Sequence, residues 1–200
     1  SEAVHQQAGE DVSCHILDCA EQRFRDFGYG KTTMAEIAGD AGMSAANVYR
    51  YFVNKQDLGA ACVERCFDGL FETLRSVLRQ PGLTAAQCLE NTVIEVLRWT
   101  YHHASEQPRI HELVQMIMDE RREMVIRRDA RMESALAEIL ARGNAEGLFD
   151  ADDVIYEART VHAAIRFFDV PIFMGFYSLP EFEQRAQDVI GLILRGLRRR

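Results

Sequence analysis

The chain has 200 residues, 48% of them hydrophobic, and a formal net charge of −8. That length suits one large domain or two small ones with a real core, and no apolar run reaches the roughly 18 residues a membrane span needs. The acidic balance weighs mildly against nucleic-acid binding, because it repels a polyanion at long range.

The opening SEAVHQQAGEDVSCHILDC lacks a basic start followed by an apolar stretch, so it does not read as a signal peptide. Residues 1–13 are polar and are expected to form a disordered arm. From 14 to 27, Ile16, Leu17, Ala20, Phe24 and Phe27 recur at helical spacing, and Gly28 and Gly30 end the pattern. Thr33 to Glu36 is a capping box, which starts a short helix carrying Ile37, Ala38 and Ala41 inward. Gly42 stops it. Ser44 caps the next helix, which buries Val48 and ends near Tyr51, and Asn54 caps a long helix over 55–80. Pro81-Gly82 is the clearest break, and Thr84 to Gln87 is a second capping box. A helix follows through Leu89, Val93, Leu97 and Tyr101 until Pro108. A shorter one carries Ile110, Val114 and Ile117. A long charged one covers 119–145, closed by Gly143 and Gly147. Two more cover 152–168 and 180–197, and the final RGLRRR reads as a solvated tail. No strand pattern appears, so the chain reads as all-α with about nine helices.

The five cysteines include no CxxC pair, which fits buried free thiols in a reducing cytosol. Cys62 and Cys66 share a helix face, which leaves a redox switch open.

The segment TTMAEIAGDAGMSAANVYRYFVNK sets two short helices around a glycine turn, the form of a helix-turn-helix. In such a unit the second helix enters the major groove by its leading residues. Here these are Ser44, Ala45, Ala46 and Asn47. Asn47 can pair with adenine at two points, and Arg50 with guanine O6 and N7. Ala45 and Ala46 permit close approach to a thymine methyl. Tyr49 and Tyr51 offer hydroxyls to phosphates, and Thr33 and Lys55 begin the flanking helices, where phosphate contact is natural. The same spacing also fits a plain helical corner, with Asn47 solvated and the tyrosines half-buried.

The stretch ILDCAEQRFRDFGYGKTTMAEIAGDAGMSAANVYRYFVNKQDL resembles the DNA-binding domain of the TetR family of bacterial transcriptional regulators. FGYGKTTMAEIA, AGMS and VYRYFVNKQDL carry the resemblance in order and spacing. The rest of the chain matches the family only in helix layout. The resemblance implies an N-terminal three-helix helix-turn-helix domain, residues 14–60. It also implies a larger C-terminal helical domain for ligand binding and dimerisation, residues 61–200. By motif position it implies DNA contacts at Thr33, Ser44, Ala45, Asn47, Tyr49, Tyr51 and Lys55. Ala45 departs from the family, where a long polar side chain is frequent, and this shifts weight to Asn47. Residues 14–60 carry six carboxylates and five cations, so this domain is near neutral and its nonspecific affinity is expected to be modest.

For the homodimer, the stripe Val161, Ile165, Phe182, Val189, Ile190, Ile193 and Leu197 is the expected face, since the family pairs its last two helices with their twins in a four-helix bundle. The effector pocket is expected among Leu70, Trp99, His102, Met116, His162, Phe167 and Phe168. Tyr101, Met118, Phe173, Met174 and Phe176 are further apolar candidates, with His111, Gln115 and Arg166 as polar anchors. The resulting expectation is a cytoplasmic repressor that needs no cofactor. Its partners are a palindromic operator in double-stranded DNA and a small apolar or amphipathic effector, coupled through the 55–80 helix.

Three alternatives stand beside it. A metal- or redox-responsive regulator of the same fold would use His102, His103, His111, His162, Glu112 or Asp119, though the spacing matches no local ligand pattern. A helical interaction module would lack DNA binding. An enzyme is disfavoured: MDERREMVIRRD reads as a solvated face with local ion pairs, and there is no glycine-rich phosphate loop, HExxH or GxSxG.

Overall fold

A computed structural model of the chain describes residues 2–106 and 109–198, with side chains from Gly9 onward. Nine α-helices dominate these residues: α1 (Glu2–Phe27), α2 (Met34–Asp40), α3 (Ala45–Val48), α4 (Lys55–Arg79), α5 (Ala85–Glu106), α6 (Ile110–Glu120), α7 (Arg122–Ala145), α8 (Val154–Ile165) and α9 (Leu179–Leu197). Two short 3-10 turns, Arg166–Phe168 and Pro171–Gly175, link α8 to α9. The protein is all-α, and among the described residues the only extended pairing is one isolated antiparallel bridge between Phe149 and Arg198.

Local signals set most helix ends. Thr33 caps α2, accepting from Glu36 N at 3.2 Å while Glu36 accepts from Thr33 N at 2.9 Å. Thr84 and Gln87 repeat this reciprocal pair ahead of α5. Asn54 accepts from Asp57 N at 2.7 Å and starts α4. Asp153 starts α8, accepting from Ile155 N and Tyr156 N at 3.1 and 3.0 Å.

Three local readings need adjustment. The segment expected as an arm belongs to α1, which begins at Glu2; it has no proline and one glycine, so nothing in it breaks a helix. Pro108 lies outside the described residues. Gly143 does not close α7 but sits within it, where the Phe149 ring occupies the space a Cβ would need. The turn after α7 uses Gly147, at φ 72°, with Leu148 N and Phe149 N donating back to Gly143 O. The basic tail is pinned as far as Arg198: Leu197 is buried and its carbonyl accepts from Asp150 N at 2.9 Å.

The chain divides into two compact units. The first comprises Ser1–Phe67 and Gln107–Val125, the second Asp68–Glu106 and Ile126–Arg200. The core of the first is built on Ile16, Ala20, Ile37, Val48 and Leu58, joined by Leu113, Met116 and Ile117 of α6. The core of the second is built on α5 and α9, with Leu89, Val93, Leu97, Phe182, Ala186 and Ile190 buried alongside Met132, Leu136 and Leu140 of α7. Within it Arg128 and Asp169 form a buried bidentate ion pair that ties the first 3-10 turn to α7. None of the described helices is long and apolar enough to cross a membrane.

Candidate nucleic-acid interface

The helix-turn-helix is assembled by a few buried anchors. Met34, Ile37 and Ala38 turn α2 onto the core, and Arg23 of α1 ties its far side through Asp40 at 2.6 Å and Glu36 at 3.6 Å. Both carboxyls lie below the ordinary range. Glu36 is lowered by the Thr33 amide and hydroxyl, and Asp40 by the hydrogen bond from Arg23. Gly42, at φ 67°, makes the sharp turn that only glycine adopts freely. Ser44 then caps α3, its hydroxyl accepting from Asn47 N at 3.2 Å.

α3 is short. Val48 is fully buried and Phe52 nearly so, and these two anchors decide which side chains face away. Ser44, Ala46, Tyr49, Arg50 and Tyr51 are exposed, with Tyr49 at 50% and Tyr51 at 39%. Asn47 is half-buried on the same turn, and Ala45 packs partly against the core. Arg50 forms no ion pair among the described residues, so its guanidinium remains available. Thr33 is exposed, but its hydroxyl serves the α2 cap. Lys55 is half-buried: its Nζ donates to Tyr29 O at 3.0 Å and lies 4.4 Å from the Tyr29 ring centre. With Tyr49 about half exposed and Tyr51 less so, their exposure fits a DNA-facing surface and a half-buried helical corner alike. Sequence reasoning missed Tyr29. Its signal was its place in FGYGKTT, between the two glycines of the α1–α2 turn.

The expected effector residues are less unified. Leu70 and Phe168 are buried in the core of the second unit, and Phe167 is the hub of an aromatic cluster, 5.2 Å from Phe173, 5.6 Å from Phe182 and 5.8 Å from Phe168. Trp99 stacks on His103 at 4.0 Å, while His102 is exposed. His162 is buried among charges, with Nε2 3.4 Å from Asp169 and Nδ1 3.6 Å from Glu133. Met116 belongs to the first unit and packs in its core. The second unit also has an open recess of about 490 Å³ between α4 and α7. Phe71, Leu74, Leu78 and Ala135 line it with Arg75, Arg79 and Arg131, and none of the expected effector residues does. Among the described residues, no group of three or more His, Cys, Asp or Glu side chains is placed to hold a metal ion.

The stripe expected to self-associate is largely occupied. Val161, Ile165, Phe182, Ile190 and Leu197 are buried within the protomer's own core, and Val189 and Ile193 pack against it. The large apolar side chains left exposed on α8 and α9 are Ile155, Tyr156 and Leu192.

An all-helical chain with a capped helix-turn-helix near its N-terminus and a larger helical unit beyond it defines a class, the helix-turn-helix transcriptional regulators. Comparison with known proteins gives the family. Residues 16–62 match the model for bacterial regulatory proteins of the tetR family, and residues 85–190 match the tetracyclin repressor-like C-terminal domain. The chain belongs to the TetR family and is a ligand-responsive, DNA-binding regulator of transcription. It is 25% identical over 160 residues to the HTH-type transcriptional regulator TtgR of Pseudomonas putida, covering 73% of this chain and 74% of that one. It is 35% identical over 65 residues to the uncharacterized HTH-type transcriptional regulator YhgD of Bacillus subtilis, 32% of this chain and 30% of that one. Among solved structures, a transcriptional regulator from Cytophaga hutchinsonii superposes with a TM-score of 0.73 at 21% identity, covering 92% of this chain and 97% of that one.

Proposed function

We propose that the protein is a homodimeric repressor that binds a palindromic operator and leaves it when a small apolar or amphipathic ligand binds the second unit. The observation that carries the DNA reading is the exposed set Ala46, Tyr49, Arg50 and Tyr51, presented by α3, which Ser44 caps and Val48 anchors, and by the turn that follows it. Within it, Asn47 and Arg50 read base edges, while Ser44, Tyr49, Tyr51, Thr33 and Lys55 hold phosphates. Ala45 contributes only close approach. The second protomer supplies the second half-site, about one helical turn away. The exposed Ile155, Tyr156 and Leu192 support pairing through α8 and α9.

The effector acts through α4, which runs unbroken from Lys55 to Arg79 and so begins beside the recognition helix. A ligand that fits only one setting of this helix shifts the population away from the operator-competent form. As a regulator of bacterial transcription the protein works in the cytoplasm and is not an enzyme.

The test is selection of bound duplexes from a random DNA pool, with the parent chain and an Asn47→Ala, Tyr49→Ala double variant side by side. A palindrome enriched by the parent and lost by the variant is the expected result. Enrichment that survives in the variant would move the contact away from α3.

A further inference from the structure

Helix α6 is fastened to the first unit by side chains that the repressor reading leaves unused. On its first turn, Glu112 accepts a hydrogen bond from Gly30 N at 2.6 Å. The same carboxylate lies against Gly28 and Gly30, 3.1 Å from where a Cβ at either would stand. Gly28 sits at φ 88°, so the backbone there also calls for glycine. Just before α6, Arg109 donates to Phe27 O at 2.6 Å. At the far end Arg121 pairs with Asp57, on the first turn of α4, at 2.6 Å. Between these anchors Leu113 and Met116 close on Gly59 of α4, where a Cβ would come within 3.1 and 3.0 Å of them and 2.9 Å of the Tyr29 ring.

α6 therefore grips the two elements that bracket α2 and α3, namely the α1–α2 turn and the start of α4. Tyr29 is where they meet. Its ring lies beneath the Lys55 ammonium and its carbonyl accepts one of the three ammonium hydrogens. Two donors remain for another acceptor. A free lysine side chain loses rotamer entropy when it is ordered, and Tyr29 has already ordered this one.

We propose that Glu112 is a positioning residue for DNA binding: it fixes the Gly28–Gly30 turn, the turn fixes Tyr29, and Tyr29 holds the Lys55 ammonium ready for an operator phosphate. The inference rests on the repressor reading and names a control point for it. Any displacement of α6 that draws Glu112 off Gly30 loosens Lys55 and weakens operator binding, whatever α4 does.

The experiment is a double-mutant cycle on the operator that the parent selects, joining Glu112→Ala with Lys55→Met, and a control cycle joining Glu112→Ala with Asn47→Ala. Affinity is read across a salt series. Each of the first two variants is expected to lose roughly tenfold per half-site and to lower the salt slope by about two, because each protomer of the dimer loses one phosphate contact. Their double variant should be no weaker than Lys55→Met alone, while the control losses multiply. Glu112→Gln, whose side-chain carbonyl still accepts from Gly30, should keep both affinity and slope. Gly30→Ala crowds the carboxylate by a few tenths of an ångström without removing it, and gives a smaller shift in the same direction should Glu112→Ala fold poorly. Losses that multiply between Glu112 and Lys55, or an affinity loss with an unchanged slope, would overturn the inference and leave the repressor reading standing. A parent chain that selects no DNA overturns both.

Discussion

Tyr29 carries a buried hydroxyl with no hydrogen-bond partner among the described residues. Burial first, and the nearby Glu120 charge second, push its pKa up to about 12. The sign follows from the protons held. The unfolded chain releases this proton near pH 10, the ordinary value, while the folded chain keeps it to about 12. Stability therefore falls as pH rises through that window, because the unfolded state then binds fewer protons. Tyr29→Phe is expected to remove this alkaline loss. At neutral pH it should leave stability unchanged or raise it by about 1 kcal/mol, since an unpaired buried hydroxyl is itself a penalty. Urea denaturation at pH 7 and pH 10.5 checks both, and an alkaline loss that persists in the variant would contradict the assignment. The same physics bears on the thiols. Burial pushes the Cys66 thiol up to about 11, and Cys62 further still, so both stay protonated at neutral pH and are poor nucleophiles. That disfavours a thiol switch on their shared face.

At the scale of the element, what could be read from sequence is what depends on a few adjacent residues. The capping pairs Thr33–Glu36 and Thr84–Gln87 are both formed, and each heads the helix its sequence announced. The outward set on α3 was legible for the same reason, since Val48 and Phe52 leave it only one free face. What the sequence withheld depends on partners far along the chain. α6 lies between α5 and α7 in sequence, yet Leu113, Met116 and Ile117 belong to the core of the first unit. Its periodicity shows an apolar face and cannot say which core receives it. Gly143 looked like a helix stop because glycine often is one, but here it admits the Phe149 ring against α7. Gly143→Ala is therefore expected to destabilise by about 1–3 kcal/mol through overpacking. Gly39→Ala, in α2 with open space around it, should instead stabilise by up to about 1 kcal/mol through helix propensity. Paired thermal melts distinguish the two, and equal effects would mean that Phe149 yields freely.

At the scale of the whole molecule, the proposed dimer turns on what α8 and α9 have left to offer. An amphipathic stripe tells which side chains leave water, not whether they enter their own protomer or its twin. Here Val161, Ile165, Phe182, Ile190 and Leu197 enter their own core, so a self-complementary face must be built from what remains, and Tyr156 at 66% and Leu192 at 63% exposure are its largest apolar members. Charge placed there should separate the protomers without unfolding them. Tyr156→Glu with Leu192→Glu is expected to sediment as a monomer at micromolar concentration and to keep the parent's helical signal. Ile190→Glu, at a position only 2% exposed, should unfold the protomer because it buries an unpaired charge. Operator binding then reports on the dimer itself. Two linked half-sites bind with an effective concentration that separate monomers lack, so avidity lost on separation can reach a hundredfold or more. The near-neutral helix-turn-helix domain makes this dependence steep, since one protomer neutralises few phosphates by itself. A double variant that remains dimeric would move the interface off α8 and α9. A monomeric variant that keeps full operator affinity would mean that one protomer suffices, and the palindrome would lose its structural reason.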